Sequence, residues 1–171
     1  LAVVPVVIVA WILAAIAGGG GDASFWLVVA GALLLTFISW ADDVKSRPAS
    51  LRFGVQVAAV ALGLWSLESA SVFQGLLPLP LDRAVTALLW LWFINLFNFM
   101  DGIDGITAVE TLAIAGGLAL ISSAGQLPLP LGSFAAAVPA AAALGFLYWN
   151  WAPSTIFLGD VGSVPLGYLL G

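Results

Sequence analysis

Apolar runs about as long as a bilayer is thick divide this chain, and they leave it little choice of fold. A transmembrane helix takes roughly 20 predominantly apolar residues. Runs on that scale cover residues 2–17, 24–41, 52–71, 84–100, 106–124 and 132–149, with another starting near Val164. Only backbone that satisfies its own hydrogen bonds can cross lipid, so the runs read as helices. Charged residues make up 8% of the 171, against about 25% in a soluble domain. The expectation is an all-α polytopic transmembrane bundle, with six full spans and the start of a seventh, forming one membrane-embedded domain over residues 1–171. Apolar sequence at both Leu1 and Gly171 predicts a fragment of a larger protein, truncated at both ends. No basic segment with a small-residue cleavage site precedes the first run, so no signal peptide is predicted.

The side-chain inventory limits the chemistry. With no Cys and no His, disulfides, thiolate metal sites, a Cys nucleophile and a His base are excluded. Carboxylates, amides and a few cations remain. The connections between runs alternate in character. The first, third and fifth are Gly-rich or carry the string LPLPL, at Leu77 to Leu81 and again at Leu127 to Leu131. The second, fourth and sixth hold Asp42, Asp43, Asp101, Asp104 and Asp160, with Glu110 about a turn into the following run. Alternate connections lie on the same side of a membrane, so parity puts all these acids on one face. Lys45, Arg47 and Arg52 fall there too and only Arg83 on the other, which marks the acidic face as cytoplasmic by the positive-inside rule. Trp40, Trp149 and Trp151 are expected at that interface and Trp26 at the opposite one, with Trp90 and Trp92 deeper as packing residues.

Acids near lipid are expensive, and their clustering points to function. Asp42-Asp43 is followed by Lys45, Arg47 and Arg52. Paired carboxylates suit a hard cation such as Mg²⁺, which takes one or two protein carboxylates together with substrate phosphates; a helix end reaching water beside neutralising bases reads equally well. In the run Asn95 to Gly105, Asn95 lies roughly 8 Å inside the helix end at 1.5 Å per residue, where an amide needs a partner. Three-residue spacing pairs Asn95 with Asn98 and Asp101 with Asp104. The four cannot share one face of a straight helix, and Gly102 and Gly105 would let the chain break and converge them. In the last connection, Gly159 and Gly162 flank Asp160 and Ser163 opens the next helix, offering N–H groups to an anion.

These three segments, DD followed by Arg52, Phe53 and Gln56, then NxxNFMDGIDG, then NxxPxxxFLGDVGS, resemble in order and approximate spacing the polyprenyl-phosphate N-acetylhexosamine-1-phosphate transferases, also called glycosyltransferase family 4. The resemblance implies a multi-helix enzyme of the bacterial inner membrane that transfers a sugar 1-phosphate from a UDP-sugar to polyprenyl phosphate, uses Mg²⁺ with Mn²⁺ as a substitute, and releases UMP. It implies catalytic roles for Asp42, Asp43, Asp101 and Asp104, with Asp42 handling the lipid phosphate. Substrate contacts fall to Lys45, Arg52, Asn95, Asn98, Asn150 and Ser163, and metal ligation to Asp160 with Asp43. The partners implied are the UDP-sugar, polyprenyl phosphate and the bilayer, with no nucleic acid and with a homodimer allowed. The family's His- or Arg-rich cytoplasmic loop is absent from these residues.

The wording NFMDGIDGIT stands closer to the branch that starts O-antigen, enterobacterial common antigen or teichoic-acid linkage synthesis than to the muramoyl-pentapeptide branch, and leans toward a UDP-GlcNAc-like donor. The inventory suits such a transfer: a phosphate nucleophile is already largely ionised and needs neutralisation and alignment, which Mg²⁺, Lys45 and Arg52 can supply. Two other classes compete. A cation transporter would place its acids near the midplane rather than the edge, and a non-catalytic scaffold would keep the fold without turnover.

Overall fold

The computed structural model describes residues 3–18, 20–127 and 129–171. Ala2, which opens the first predicted span, and Gly19 and Pro128, which fall in the first and fifth connections, lie outside the described residues. Among those described, seven helices and no strand are present: α1 (Val3–Ala17), α2 (Ala23–Val44), α3 (Ala49–Ser66), α4 (Leu79–Met100), α5 (Ile106–Ser123), α6 (Ser133–Asn150) and α7 (Asp160–Leu170). Four of them, α2 to α5, are long and apolar enough to cross a membrane. The shorter apolar helix α1 has 15 residues, and α6 ends in the more polar Tyr148-Trp149-Asn150.

Where boundaries differ from the sequence reading, local chemistry gives the reason. α2 continues to Val44, so Asp42 and Asp43 belong to its last turn rather than to a loop. α3 stops at Ser66, short of the predicted residue 71. Arg83 reaches over from α4 and donates to the Leu64 carbonyl at 3.2 Å and the Glu68 carbonyl at 2.6 Å, a cation placed on a helix C-terminus. α4 starts five residues earlier than expected because Pro80, which lacks an N–H, is tolerated in a first turn where no donor is needed. Asp82 thereby enters the helix. It is completely buried and accepts from the Ser71 hydroxyl at 2.6 Å and from the amides of Val72 and Phe73 at 3.2 and 2.9 Å, clasping the 67–78 connection to α4. No pattern in the sequence marks Asp82 for this role.

α7 is the axis of the bundle. It packs mainly on α2 and α4, with α1 and α5 also touching it, while α5 pairs with α6 and α2 with α3. Every residue from Val161 to Tyr168 is buried. Small residues let the backbones close up, as they do between helices in lipid. A Cβ on Gly167 would stand 3.1 Å from the Ile94 Cα and 3.1 Å from the Phe97 Cβ, and Gly31 and Gly63 leave the room that Tyr168 and Trp90 occupy. Those two rings stack with centroids 5.0 Å apart, and the Trp90 indole donates to the Tyr168 carbonyl at 3.0 Å. Trp90 is thus a packing residue as expected. Trp92 is not: its side chain is exposed on the outer face of α4. Trp26, Trp40, Trp149 and Trp151 are exposed near helix ends, as an interfacial belt requires.

Pro139 inside α6 removes one intrahelical donor and orphans the Ala135 carbonyl one turn back. The buried Trp11 of α1 donates its indole N–H to that carbonyl at 3.0 Å, joining α1 to α6 through the defect.

Candidate active site

Six helix termini meet at one end of the bundle: the ends of α2, α4 and α6 and the starts of α3, α5 and α7. Side chains from all of them interlock there, which gathers the three acidic connections on one side as parity predicted. Asp42, in the last turn of α2, accepts the Arg47 amide and also faces Arg52, in the first turn of α3. Arg52 Nη1 lies 3.0 Å from Asp42 Oδ2 and 3.5 Å from Asp160 Oδ2. One guanidinium nitrogen therefore bridges the second and sixth connections. Such half-exposed pairs add little stability by themselves; their consequence here is position. Asp43 is the next residue of the same last turn of α2, beside this pair.

The polar residues of the fourth connection fan out instead of converging on one point. Asn95 turns to α3, where its amide donates to Gln56 Oε1 at 2.9 Å and to the Leu91 carbonyl at 2.7 Å. Asn98 accepts the Ser163 hydroxyl, tying α4 to the first turn of α7. Asp101 Oδ2 accepts the Gly159 amide at 3.1 Å. Asp104 points away to the last connection, accepting the Ser154 hydroxyl at 2.6 Å and the Ser154 amide at 3.0 Å. Two glycines make these turns, Gly105 at φ +77° before α5 and Gly159 at φ +68° before α7, a left-handed region that side chains disfavour. Gly102, the other residue expected to break the chain, has no such φ. Buried Asn150 accepts the Gly105 amide at 3.0 Å and donates to the Ile156 carbonyl at 2.9 Å, holding two connections together.

The two acids of the fourth connection differ in charge state tendency. Burial pushes Asp101 above the ordinary carboxylate value, and Asp160 nearby pushes the same way against the pull of the Gly159 N–H. The Ser154 hydroxyl, then its amide, hold Asp104 below that value.

A cavity of about 340 Å³ opens among these groups, lined by Ser39 of α2, Arg52 and Gln56 of α3, Asn95 and Asn98 of α4 and Asp160 of α7, with apolar walls from Ile38, Phe53 and Val164. The structure thus brings Asp42, Asp43, Arg52, Asn98, Asp101, Asp160 and Ser163 into one neighbourhood. It leaves Lys45 exposed at the C-cap of α2, away from the cavity lining, and leaves Asp104 and Asn150 as holders of the last connection. Among the described residues, no three acids stand close enough together to make a metal site of protein ligands alone. Gln56 stands in a sequence motif without a role of its own, although a polar residue one turn inside an apolar run carries the same signal as Asn95. Ser154 had no signal: a serine in a polar connection is unremarked until its partner is seen.

A family model described as glycosyl transferase family 4 matches residues 25–171. The chain belongs to glycosyl transferase family 4. It is 32% identical over 195 residues to a phospho-N-acetylmuramoyl-pentapeptide-transferase of Mycolicibacterium vanbaalenii, covering 90% of this chain and 54% of that protein. It is 31% identical over 202 residues to the enzyme of the same name from Corynebacterium jeikeium, covering 90% and 55%. The chain spans about half the length of these curated relatives. Both bear the name of the muramoyl-pentapeptide branch, so they lend no support to the branch preference read from NFMDGIDGIT.

Proposed function

We propose that the protein transfers an N-acetylhexosamine 1-phosphate from a UDP-sugar to polyprenyl phosphate, undecaprenyl phosphate in bacteria, releasing UMP in the first membrane step of cell-envelope polysaccharide synthesis. The observation that carries this reading is the bridge of Arg52 between Asp42 and Asp160 beside a polar cavity at one end of an apolar bundle. Phosphoryl transfer asks mainly for alignment and charge neutralisation, and these groups are suited to both. In this reading α1 and α6 complete six spans with α2 to α5, the membrane is the bacterial inner membrane, and the acidic end faces the cytoplasm.

The donor set fits Mg²⁺, because a cluster of carboxylates with a single bridging cation still needs neutralisation and Mg²⁺ is content with one or two carboxylates plus phosphates and waters. Asp160 and Asp43 would hold it, and Mn²⁺ would serve as a substitute. When bound, the ion neutralises the diphosphate of the donor. Arg52 then orients a phosphate beside Asp42. An oxygen of the lipid phosphate attacks the sugar-bearing phosphorus directly; the new P–O bond forms as the bond to the UMP oxygen breaks, and UMP leaves with that electron pair. Asp42 takes any proton remaining on the lipid phosphate or orients it. A carboxylate nucleophile would add a third anion to two that already repel. Asn98 and Ser163 hold the start of α7, and with it Asp160, against α4.

The donor we favour is UDP-GlcNAc, from the wording NFMDGIDGIT; UDP-MurNAc-pentapeptide is the rival that the relatives' names supply. The deciding assay is UMP release by the full-length protein with polyprenyl phosphate and each donor in turn. Labelled UMP should exchange into the UDP-sugar only when polyprenyl phosphate is present. Exchange without it would mean a covalent intermediate and would remove Asp42 from its role; no UMP from any donor would leave the transporter and scaffold readings.

A further inference from the structure

Arg52 and Gln56 stand one turn apart on the face of α3 that lines the cavity, about 6 Å along the helix axis. Arg52 has a buried donor without an acceptor, and Gln56 has an NH₂ with a single, long hydrogen bond. Arg52 commits Nη1 to both carboxylates, while its Nε is buried with no partner. Gln56 is 8% exposed. Its carbonyl takes the Asn95 amide at 2.9 Å, and its own NH₂ reaches Asn95 Oδ1 at 3.4 Å, which uses one of its two hydrogens at best. Asn95 is in turn fixed by the Leu91 carbonyl at 2.7 Å, so the Gln56 amide is held in place from behind. Buried donors left unmatched are costly and rarely kept without a use.

The cavity is mixed in character. Asp160 lines the cavity with Arg52, and Asp42 stands behind Arg52 at the helix-terminus end, where the two carboxylates already occupy its Nη1. Gln56 lies one turn further along α3 than Arg52, and Ile38, Phe53 and Val164 supply apolar walls to the same cavity. A ligand that suits this combination is an anion carried on an apolar chain. Of the two phosphate-bearing substrates proposed above, the nucleotide sugar comes from water and the polyprenyl phosphate comes from the bilayer. We infer that Gln56 and Arg52 form the seat of the acceptor's phosphate, with the Gln56 N–H as the group that fixes its depth and Asn95 as the positioning residue behind it. The inference rests on the proposed transfer reaction, and it assigns Gln56 to acceptor recognition and not to the donor.

The test uses the full-length protein in lipid nanodiscs, with UMP release for kinetics and intrinsic fluorescence for binding of a short polyprenyl phosphate. Gln56→Leu should raise KM for the acceptor roughly tenfold or more, the loss of a hydrogen bond to a charged group, while KM for the UDP-sugar stays unchanged. Gln56→Glu keeps the oxygen that Asn95 needs and faces the phosphate with an acceptor, so it should fold like the parent and lose acceptor affinity at least as far. Binding of the matching polyprenol, which has no phosphate, should be equal in parent and variants. Inorganic phosphate alone should bind too weakly to displace the lipid. A rise in the donor's KM instead, equal weakening of polyprenol and polyprenyl phosphate, or an unchanged acceptor KM in a folded Gln56→Glu protein would overturn the assignment. If no donor yields UMP yet polyprenyl phosphate still binds in a Gln56-dependent way, the transfer reaction falls and the phosphate seat stands.

Discussion

Asp101, on the connection after α4, and Gly159, at the head of α7, are joined across 58 positions of sequence by one hydrogen bond of 3.1 Å. That bond sets where α7 begins, and Asp160 is the next residue. Through Asn98 and Ser163 the same two elements are tied a second time. The placement of Asp160 against Arg52 therefore depends on a connection that contains neither residue.

Asp101→Asn should separate charge from support. Because burial raises its folded-state value above the ordinary 3.8, the ionised form is the costly one. The group's favourable contribution to folding is fully present below 3.8 and is lost as pH rises through the higher folded value. An Asn at this position still accepts the Gly159 N–H without that cost, so thermal unfolding at neutral pH should occur at the same or a higher temperature than in the parent. UMP release should fall on the order of 100-fold through loss of the charge. A lower unfolding temperature would show that the carboxylate is a structural requirement.

Asp104 has the opposite sign. Ser154 holds its folded-state value below 3.8, so its contribution is present above 3.8 and is lost as pH falls through the lower folded value. Protection of the amides in residues 151–158, taken relative to their intrinsic exchange rates at each pH, should fall in acid in the parent, and Asp104→Asn should show that lower protection already at neutral pH, with little further loss on acidification. Equal protection in parent and variant at neutral pH would deny the clasp.

Asp160→Asn should reduce Mg²⁺-dependent turnover by at least about 100-fold while the protein stays folded, since the shape is kept and the charge is lost. Asp22, which caps α2 at the opposite end by accepting the Phe25 amide at 2.7 Å, serves as the comparison. Asp22→Asn should leave turnover nearly intact. Similar losses in both would mean general destabilisation, not ligation.

The chain contains no Cys, which makes thiol labelling clean. Single Cys residues at Lys45 and Ile103, both exposed at the acidic end, should react with a membrane-impermeant reagent from the cytoplasmic side, and ones at Gln74 and Gln126 from the other. Lys45 and Ile103 labelling from opposite sides would dismantle the shared face.

Trp11→Phe should destabilise the bundle by roughly 1 kcal/mol, the worth of an interhelical hydrogen bond in lipid, with both KM values unchanged. The cost should shrink in a Pro139→Ala background, where residue 139 regains an N–H and the Ala135 carbonyl no longer needs the indole. Additive losses in the double-mutant cycle would show that the indole bond does not answer the proline.

Helix number, order and the one-sided arrangement of the acids were legible because each rests on a strong local signal: long apolar runs for the first two and parity of connections for the third. The extra turn that carries Asp42 and Asp43 was not legible, since two adjacent acids look like a loop until Arg52 and the Arg47 amide are seen to satisfy one of them. The divergence of Asn95, Asn98, Asp101 and Asp104 was half legible. Helical spacing excluded a common face, but the four separate partners, Gln56, Ser163, Gly159 and Ser154, come from three other segments and depend on tertiary approach alone. Asp82 was missed for a related reason. A lone acid beside an arginine in a proline-rich stretch carries no pattern, and only burial shows that it organises a turn.

The enclosure of α7 bears on how such a protein is made. Its residues from Val161 to Tyr168 are covered by protein on every side, so once the bundle is complete this segment has no stripe left to present to lipid. Helices that keep a lipid-facing side can wait in the bilayer until their neighbours arrive, but a segment without one gains its stability only from a groove that already exists. α2, with the clearance at Gly31, and α4, approached by Gly167 of α7, form most of that groove and are both synthesised before α7. During biogenesis the Asp160 end of α7 thus arrives after α2 and α4, onto a frame that they have already built.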